Sequence, residues 1–245
     1  MPTLFISDLH LSHERPQKLA LFHEFLAAAR GCDGLYILGD LFEVWLGDDD
    51  DTPPNPEVLT ALREFSDGGT PLRAMRGNRD LLLDSGFSSM TGAELLPDPG
   101  RIELYGEPTL LMHGDLLCTR DMDYLAFRSM AHEPHFQAGF LARPLADRRT
   151  IAAGFREYSV TAMQDKPAEI MDVEDEAVMA RMRQAGVRRL IHGHTHRPAV
   201  HEFELDGKPA RRTVLGDWYS QESVLVCTPG DQRLLPVQDF LGQAG

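Results

Sequence analysis

The chain has 245 residues, 42% of them hydrophobic, and a formal net charge of −14 at pH 7. This length and apolar content allow a substantial core within one domain and exclude a disordered chain. The acidic balance argues against nonspecific binding to nucleic acid, and three scattered cysteines argue against a disulfide framework.

Residues 1–8 lack the basic residues and the long apolar run of a signal peptide. Apolar stretches stay well below the roughly 20 residues that a membrane-spanning helix needs. We therefore expect a cytoplasmic protein. Peripheral association with a membrane surface stays possible.

The first half of the chain alternates strand-like and helix-like segments. Apolar runs predict strands, helical spacing of apolar residues predicts helices, and Gly106 lies near the turn of a predicted hairpin. The predicted strands are 3–6, 35–38 and 72–75, the helices are 17–30 and 56–65, and the hairpin joins 102–105 to 110–112. This alternation is typical of a layered α/β domain.

The second half begins with a predominantly helical segment at about 120–170, which three prolines interrupt. A helix follows over 173–184, with Gly186 as its stop, and then a strand over 187–191. The remaining predicted strands are 200–205, 211–215, 223–227 and 233–237, with a hairpin turn at Asp206-Gly207. The acidic run 48–51 is most simply a solvated loop.

Five polar clusters directly follow five of the predicted strands. They are Asp8 with His10, Asp40, Asn78-Arg79-Asp80, His113 with Asp115, and His192 to His196. Ligands of open α/β sheets bind at the carboxyl ends of strands, and residues two apart in an extended chain point to the same side. One such motif is more often structural than functional, but five in this order favour a metal site.

Several neighbouring polar residues have simpler interpretations. His13 and His201 are expected at the surface, and His192 is expected to pack structurally. Asp80 and Asp115 are plausible partners that orient histidine ligands.

The pattern D-x-H, GD, GN-x-D, a later histidine and GH-x-H resembles the calcineurin-like metallophosphoesterases. The resemblance covers nearly the whole chain and implies a single domain, 1–245, with a two-sheet α/β/β/α sandwich. It also implies a helical insertion, or lid, at about 120–170. The metal ligands that it implies are Asp8, His10, Asp40 and His196 for one ion and Asp40, Asn78, His113 and His194 for the other.

Oxygen and imidazole donors without a thiolate suit manganese, iron or zinc, and we expect two Mn²⁺ ions bridged by Asp40. Two such ions would lower the pKa of a water and leave a small positive surplus for a phosphoryl group. The residues expected to carry the catalysis are Asp40, Asn78, Arg79, His113 and His194.

Arg79 stands where many members of the family have a histidine that protonates the leaving oxygen. Guanidinium stays charged, so it can hold phosphate but cannot act as that acid. This fits a leaving group that needs no proton, such as the phosphate monoester released from a pyrophosphate.

The GNRD sequence and the surrounding motifs are similar to the branch of the family that acts in bacterial lipid A synthesis. That branch hydrolyses the pyrophosphate of UDP-2,3-diacylglucosamine to UMP and 2,3-diacylglucosamine 1-phosphate. The substrate contacts that the resemblance implies are Asn78, Arg79, Asp121, Ser159, Lys166 and His194. Met163 departs from the branch, which usually has a polar residue there.

Residues 120–166 carry seven Lys or Arg and six Asp or Glu, a net charge of +1, against −15 for the rest of the chain. With four arginines (Arg143, Arg148, Arg149 and Arg156), this apolar segment could rest on an anionic bilayer, here the cytoplasmic face of the inner membrane. An ordinary helical cover on the sheet is the simpler alternative.

The sequence leaves other functions open. They are a nucleotide phosphodiesterase, a dinucleoside polyphosphate hydrolase, a protein phosphatase and a scaffold without activity.

Overall fold

The computed structural model describes residues 1–164, 170 and 172–244, and it describes their side chains except those of 158–164 and 244. In chain order the elements are β1 (Thr3–Ile6), α1 (Pro16–Ala28), β2 (Gly34–Leu38), α2 (Asn55–Asp67), β3 (Leu72–Met75), α3 (Ser85–Thr91), β4 (Glu94–Leu96), β5 (Gly100–Leu104), β6 (Glu107–Met112), α4 (Met122–Ala131), α5 (Pro134–Leu141), α6 (Leu145–Gln164), α7 (Asp175–Ala185), β7 (Arg189–His192), β8 (Ala199–Leu205), β9 (Lys208–Val214), β10 (Ser223–Thr228), β11 (Asp231–Pro236) and α8 (Val237–Ala244).

The strands form two sheets. One has the order β11-β10-β1-β2-β3-β4, and the other has the order β5-β6-β7-β9-β8. The neighbours from β1 to β4 are parallel, as are β6, β7 and β9 in the second sheet. The parallel strands therefore present their carboxyl ends together, which is where polar loop residues can meet.

A dry core joins the inner faces of the two sheets. Phe5, Leu38 and Met75 from the first sheet pack with Leu111 and Ile191 from the second. The outer face of the first sheet is covered by α1, α2, α3 and α8, and that of the second sheet by α7. The expected two-sheet α/β/β/α fold is confirmed.

Three elements lack a signal in the sequence, namely α3, β4 and α8. In α3 (SGFSSMT) only Phe87 and Thr91 are buried, so its sequence shows no apolar period. β4 has three residues, too short for a recognisable alternation. The position of α3 and β4 follows from packing against α2 and β3, and that of α8 from packing against α1, β10 and β11.

The expected helical insertion consists of α4, α5 and α6, whose boundaries coincide with two of the prolines. Among the described residues, no helix is both long enough and apolar enough to cross a membrane. Large apolar side chains are nevertheless exposed on these helices. They are Met122, Phe127, Met130, Leu141 and Phe155.

The acidic run 48–51 is only in part the solvated loop that its composition predicts, because Asp49 and Asp51 are exposed whereas Asp48 is half-buried and Asp50 is buried. Asp50 is buried and accepts a hydrogen bond from the Asn55 amide, and Asp48 accepts one from the backbone N–H of Gly86. Asp49 pairs through both oxygens with Arg148 of α6, whose side chain is almost fully buried. The run therefore forms a docking surface for the lid.

This docking also changes the expectation for the four arginines. Arg148 donates hydrogen bonds to Asp49, and the guanidinium of Arg149 lies 3.7 Å from the carboxylate of Asp50. Arg156 lies 3.2 Å from Glu43. Three of the four positive charges thus face carboxylates of the core, so they do not form a free basic surface for anionic lipid.

Candidate metal centre

Five loops meet at the carboxyl edge that the two sheets share. β1 leads to Asp8 and His10, β2 to Asp40, and β3 to Asn78. β6 leads to His113, and β7 leads to His194 and His196. The seven side chains expected as metal ligands lie in one cluster, and the loops are tied by backbone hydrogen bonds such as that from His10 N to the carbonyl of Asp40 (2.9 Å).

Backbone strain is concentrated in this cluster. Eight described non-glycine residues have positive φ, and five of them belong to the seven expected ligands: Asp8, His10, Asp40, His194 and His196. A left-handed conformation is disfavoured for residues with a side chain and persists only where the surroundings enforce it. Its concentration here indicates that function rather than folding sets the geometry.

Two glycines allow the loops to approach one another. A Cβ on Gly77 would lie 2.1 Å from Oδ1 of Asp40, and a Cβ on Gly193 would lie 2.2 Å from Oδ2 of Asp8. Any larger residue would displace a carboxylate, because real atoms do not approach so closely.

The first group of donors is Asp8, His10 and His196, with Asp40 beside them. Nε2 of His196 lies 3.3 Å from Oδ1 of Asp8 and 3.4 Å from Nε2 of His10. Nε2 of His10 lies 3.7 Å from Oδ2 of Asp40. Ligand atoms of Asp8, His10 and His196 all lie within 4.8 Å of one another, as a shared cation requires.

The second group of donors is Asn78, His113 and His194, again beside Asp40. Oδ1 of Asn78 lies 2.9 Å from Nε2 of His113 and 3.0 Å from Nδ1 of His194. Nε2 of His113 lies 3.8 Å from Oδ1 of Asp40. Asp40 thus directs one oxygen to each group.

Protonation tests whether these donors fit a divalent cation. Burial above all lowers the pKa of His10 to about 3 and that of His194 to about 4, so both are neutral imidazoles at pH 7. Burial also opposes charge on His113, but Asp40, Asp8 and Asp115 outweigh it and raise its pKa to about 10. Burial likewise raises the pKa of Asp40.

His113 therefore retains a proton, paired with the carboxylate of Asp40, that a cation would replace. Oδ1 of Asp8 is buried without a hydrogen bond to any described group, as expected of an atom reserved for a metal. His113 donates from Nδ1 to the carbonyl of Leu38 (3.0 Å), so its Nε2 is the ligand atom. The donor set fits two divalent cations that accept oxygen and nitrogen.

The expected substrate contacts are only partly within the described residues. The backbone N–H of Arg79 donates to Oδ1 of Asp40 (2.8 Å), which places Arg79 directly beside the donor cluster. Asp121 precedes α4 and accepts from the backbone N–H of Tyr124. The side chain of Ser159 and the whole of Lys166 lie outside the described residues, as does the side chain of Met163.

The neighbours of the cluster differ from expectation at Asp80 and at Asp115, whose hydrogen bonds among the described residues come from Tyr124, Arg128 and the backbone N–H of Leu116 rather than from a histidine. Asp80 does not orient a histidine but accepts backbone N–H groups from Gly77, Asp40 and Leu41, and so fixes the loops after β2 and β3. His192 is fully buried and donates to the carbonyl of Gly193, as a structural residue would. His13 and His201 are exposed, as expected.

The lid contacts the second group of donors through α4. Tyr124 donates to Asp115 (2.6 Å), and its ring centroid lies 5.9 Å from that of His194. Arg128 lies between Asp115 and Asp98, and Asp98 accepts from the backbone N–H of His113. No sequence motif predicts these polar contacts. The only indication in the sequence is the Gly114-Asp115 pair that follows His113.

Behind the first group lies a second set of residues that sequence reasoning missed. Glu43 is buried, and its Oε2 lies 3.8 Å from Nδ1 of His10. Oδ2 of Asp217 lies 3.7 Å from Nδ1 of His196. Tyr219 connects the two carboxylates, because its O–H donates to Glu43 (2.5 Å) and its backbone N–H donates to Asp217 (2.6 Å).

Comparison with known proteins agrees with this architecture. The family model described as calcineurin-like phosphoesterase matches residues 1–198. A protein of Aeromonas hydrophila named UDP-2,3-diacylglucosamine hydrolase is 52% identical over 235 residues, covering 96% of this chain and 98% of that protein. Proteins with the same name are 51% identical in Marinobacter nauticus, covering 89% and 90%, and 49% identical in Klebsiella pneumoniae, covering 96% and 98%.

Proposed function

The chain belongs to the calcineurin-like phosphoesterases, and on that premise we propose that it hydrolyses the pyrophosphate bond of UDP-2,3-diacylglucosamine, with two Mn²⁺ per chain. The products are UMP and 2,3-diacylglucosamine 1-phosphate. Relatives with that substrate in their names match almost end to end, at about half identity. The observation that carries the proposal is a two-group donor cluster beneath a helical segment that exposes several large apolar side chains.

In this proposal the seven ligands bind two cations. Asp8, His10 and His196 hold one cation, Asn78, His113 and His194 hold the other, and Asp40 bridges the two. When bound, the cations supply Lewis-acid polarisation of a phosphoryl group and an acidified water. Neutral Asn78, in place of a third carboxylate, keeps the centre positive enough to attract a phosphate.

Arg79 holds the phosphate rather than protonating the leaving group. Its backbone N–H donates to Asp40, so its side chain starts beside the donor cluster, within reach of a phosphate bound there. A planar guanidinium can donate two parallel hydrogen bonds to phosphate oxygens. A phosphate monoester leaves without a proton, so the reaction requires no acid at this position. Asn78, His194, Asp121, Ser159 and Lys166 complete the substrate contacts of the proposal.

The lid, residues 120–170 of a single domain, receives the acyl chains. Phe127 and Phe155 contact each other across α4 and α6, with ring centroids 5.3 Å apart, and both remain partly exposed. Exposed apolar area of this kind on a helical cap fits fatty acyl groups. The same surface allows the protein to associate peripherally with the cytoplasmic face of the inner membrane, where such a substrate resides.

An assay on the diacylated nucleotide sugar tests this function. Purified protein with Mn²⁺ should release UMP, detected by chromatography, and lose that activity with a chelator. Asp40→Ala should reduce turnover to background, because both donor groups lose a ligand at once. His201→Asn, on an exposed histidine away from the cluster, serves as the matched control.

Two results would contradict the proposal. Efficient cleavage of bis(p-nitrophenyl) phosphate or a dinucleoside polyphosphate, without UMP release from the lipid-linked substrate, would assign another branch of the family. Retention of parent-like activity in Asp40→Ala would remove the bridging role.

A further inference from the structure

We propose that Glu43, Asp217 and Tyr219 form a bracket that positions the metal ligands His10 and His196 and connects them to the lid through Arg156. This inference rests on the proposed metal centre. It concerns three residues that do not themselves face the reacting atoms, and they are therefore positioning residues.

The two histidines need a defined tautomer. Their Nε2 atoms face each other at 3.4 Å within the donor cluster, so their Nδ1 atoms must carry the protons when Nε2 binds metal. Nδ1 of His10 is buried and has no hydrogen-bond partner among the described residues. The carboxylate that faces it is Glu43, and the carboxylate that faces Nδ1 of His196 is Asp217. Carboxylate partners of this kind fix the ring orientation of a metal-bound histidine and increase its basicity.

Tyr219 makes the two carboxylates one unit. Its O–H and its backbone N–H bond one carboxylate each, and its ring centroid lies 4.9 Å from that of His10 and 6.3 Å from that of His196. The guanidinium of Arg15 covers the other side of the ring, 3.7 Å from its centroid. The bracket is therefore held by packing as well as by hydrogen bonds, which limits the rotation of both imidazoles.

The lid joins this unit at Glu43. Arg156 of α6 lies 3.2 Å from Oε1, while Oε2 faces His10 and Tyr219. The side chain of Glu43 is about 7% exposed whereas that of Arg156 is 45% exposed, so this ion pair connects a buried carboxylate with the surface of the lid. One carboxylate consequently serves the metal ligand with one oxygen and the lid helix with the other.

Mn²⁺ affinity of the whole protein, measured by calorimetry or by the electron paramagnetic resonance of free Mn²⁺, tests the bracket. We expect Glu43→Gln, which keeps the shape and removes the charge, to weaken binding at one of the two sites about 10- to 100-fold. Tyr219→Phe keeps the ring and loses only the O–H, so we expect a weakening of about threefold to tenfold. At saturating Mn²⁺ both variants should regain most of the parent turnover, since neither residue contacts substrate.

Asp49→Asn is the matched control, because Asp49 also anchors α6 but has no contact with a ligand histidine. Its Mn²⁺ affinity should stay within about twofold of the parent. Parent-like affinity in both Glu43→Gln and Tyr219→Phe would overturn the bracket, and so would an equal weakening in Asp49→Asn. A parent protein that binds no Mn²⁺ would instead contradict the proposed metal centre, and the bracket with it.

Discussion

Asp40 is the residue on which the site depends most. It is buried, its φ is positive, and its carboxylate accepts the backbone N–H of Arg79 while lying within 4 Å of His10 and His113. Burial of a carboxylate is costly unless opposite charge or hydrogen bonds compensate it. A cation on each side would provide that compensation, and we assign the bridging role to Asp40 because its Oδ2 lies near His10 and its Oδ1 near His113.

Arg79 allows a test at the same scale. Arg79→Ala should lower kcat/KM for the diacylated substrate by about 100- to 1,000-fold, the usual effect of losing a charged donor to a transition state. Arg79→Lys should recover only part of this loss, because an ammonium group lacks the planar fork. Steady-state kinetics would check both, with Mn²⁺ affinity measured alongside.

Arg73→Ala provides the control, since Arg73 lies on β3 and pairs with Glu94, which is not part of the donor cluster. A large loss of Mn²⁺ affinity in Arg79→Ala would contradict a role in substrate binding and indicate instead a role in ordering Asp40.

At the level of elements, the strands that carry the site were predictable and their polar neighbours were not. β1 and β3 have the predicted bounds, because a short apolar run between polar loops has few alternatives. The ligands follow those strands directly and share one sheet edge, so their clustering could be predicted as well. Glu43 and Asp217 could not, because each approaches a histidine from a distant part of the chain through side-chain packing.

The contact between the acidic run and α6 was missed for a related reason. Composition predicts solvation for consecutive aspartates, but Arg148 lies about 100 residues later in the sequence. Long-range pairing of this kind leaves no local pattern. The lid helices were recognised, whereas the surface on which they dock was not.

The close approach of the loops after β2 and β3 gives a prediction at this scale. Gly77→Ala should abolish Mn²⁺-dependent activity and lower stability by more than about 1 kcal/mol, because its Cβ would overlap the carboxylate of Asp40. Gly154→Ala, in the interior of α6 with nothing within 4 Å of the new Cβ, should be neutral or stabilising by up to about 1 kcal/mol. Chemical denaturation and the UMP-release assay would measure the two variants. If Gly77→Ala and Gly154→Ala had the same stability and the same UMP-release activity, the loops would be able to separate without loss of the site.

For the whole molecule, charge is distributed unevenly. The protein carries a net charge of −14, yet the lid segment 120–166 is close to neutral. Part of the remaining negative charge is concentrated at the donor cluster and at the acidic run beneath α6. The first is expected to be neutralised by cations and the second by Arg148 and Arg149, so the fold and the cofactor are coupled through electrostatics.

This coupling predicts how stability responds to pH when metal is absent. Burial disfavours charge on His113, but Asp40, Asp8 and Asp115 raise its pKa to about 10, well above the 6.5 of an ordinary histidine. Between pH 7 and pH 9 the folded protein therefore holds a proton that the unfolded chain has lost, and stability decreases as pH rises. In EDTA we expect the free energy of unfolding to fall by about 1–3 kcal/mol over this interval.

Saturating Mn²⁺ should remove that decrease and raise the melting temperature, because a metal-bound His113 carries no extra proton and ligand binding stabilises the folded state. A Mn²⁺ concentration about 100-fold above Kd corresponds to about 2.7 kcal/mol. His113→Asn should lack the pH response in EDTA, whereas exposed His201→Asn should keep it. A metal-free parent that is equally stable at pH 7 and pH 9 would contradict the charged state assigned to His113.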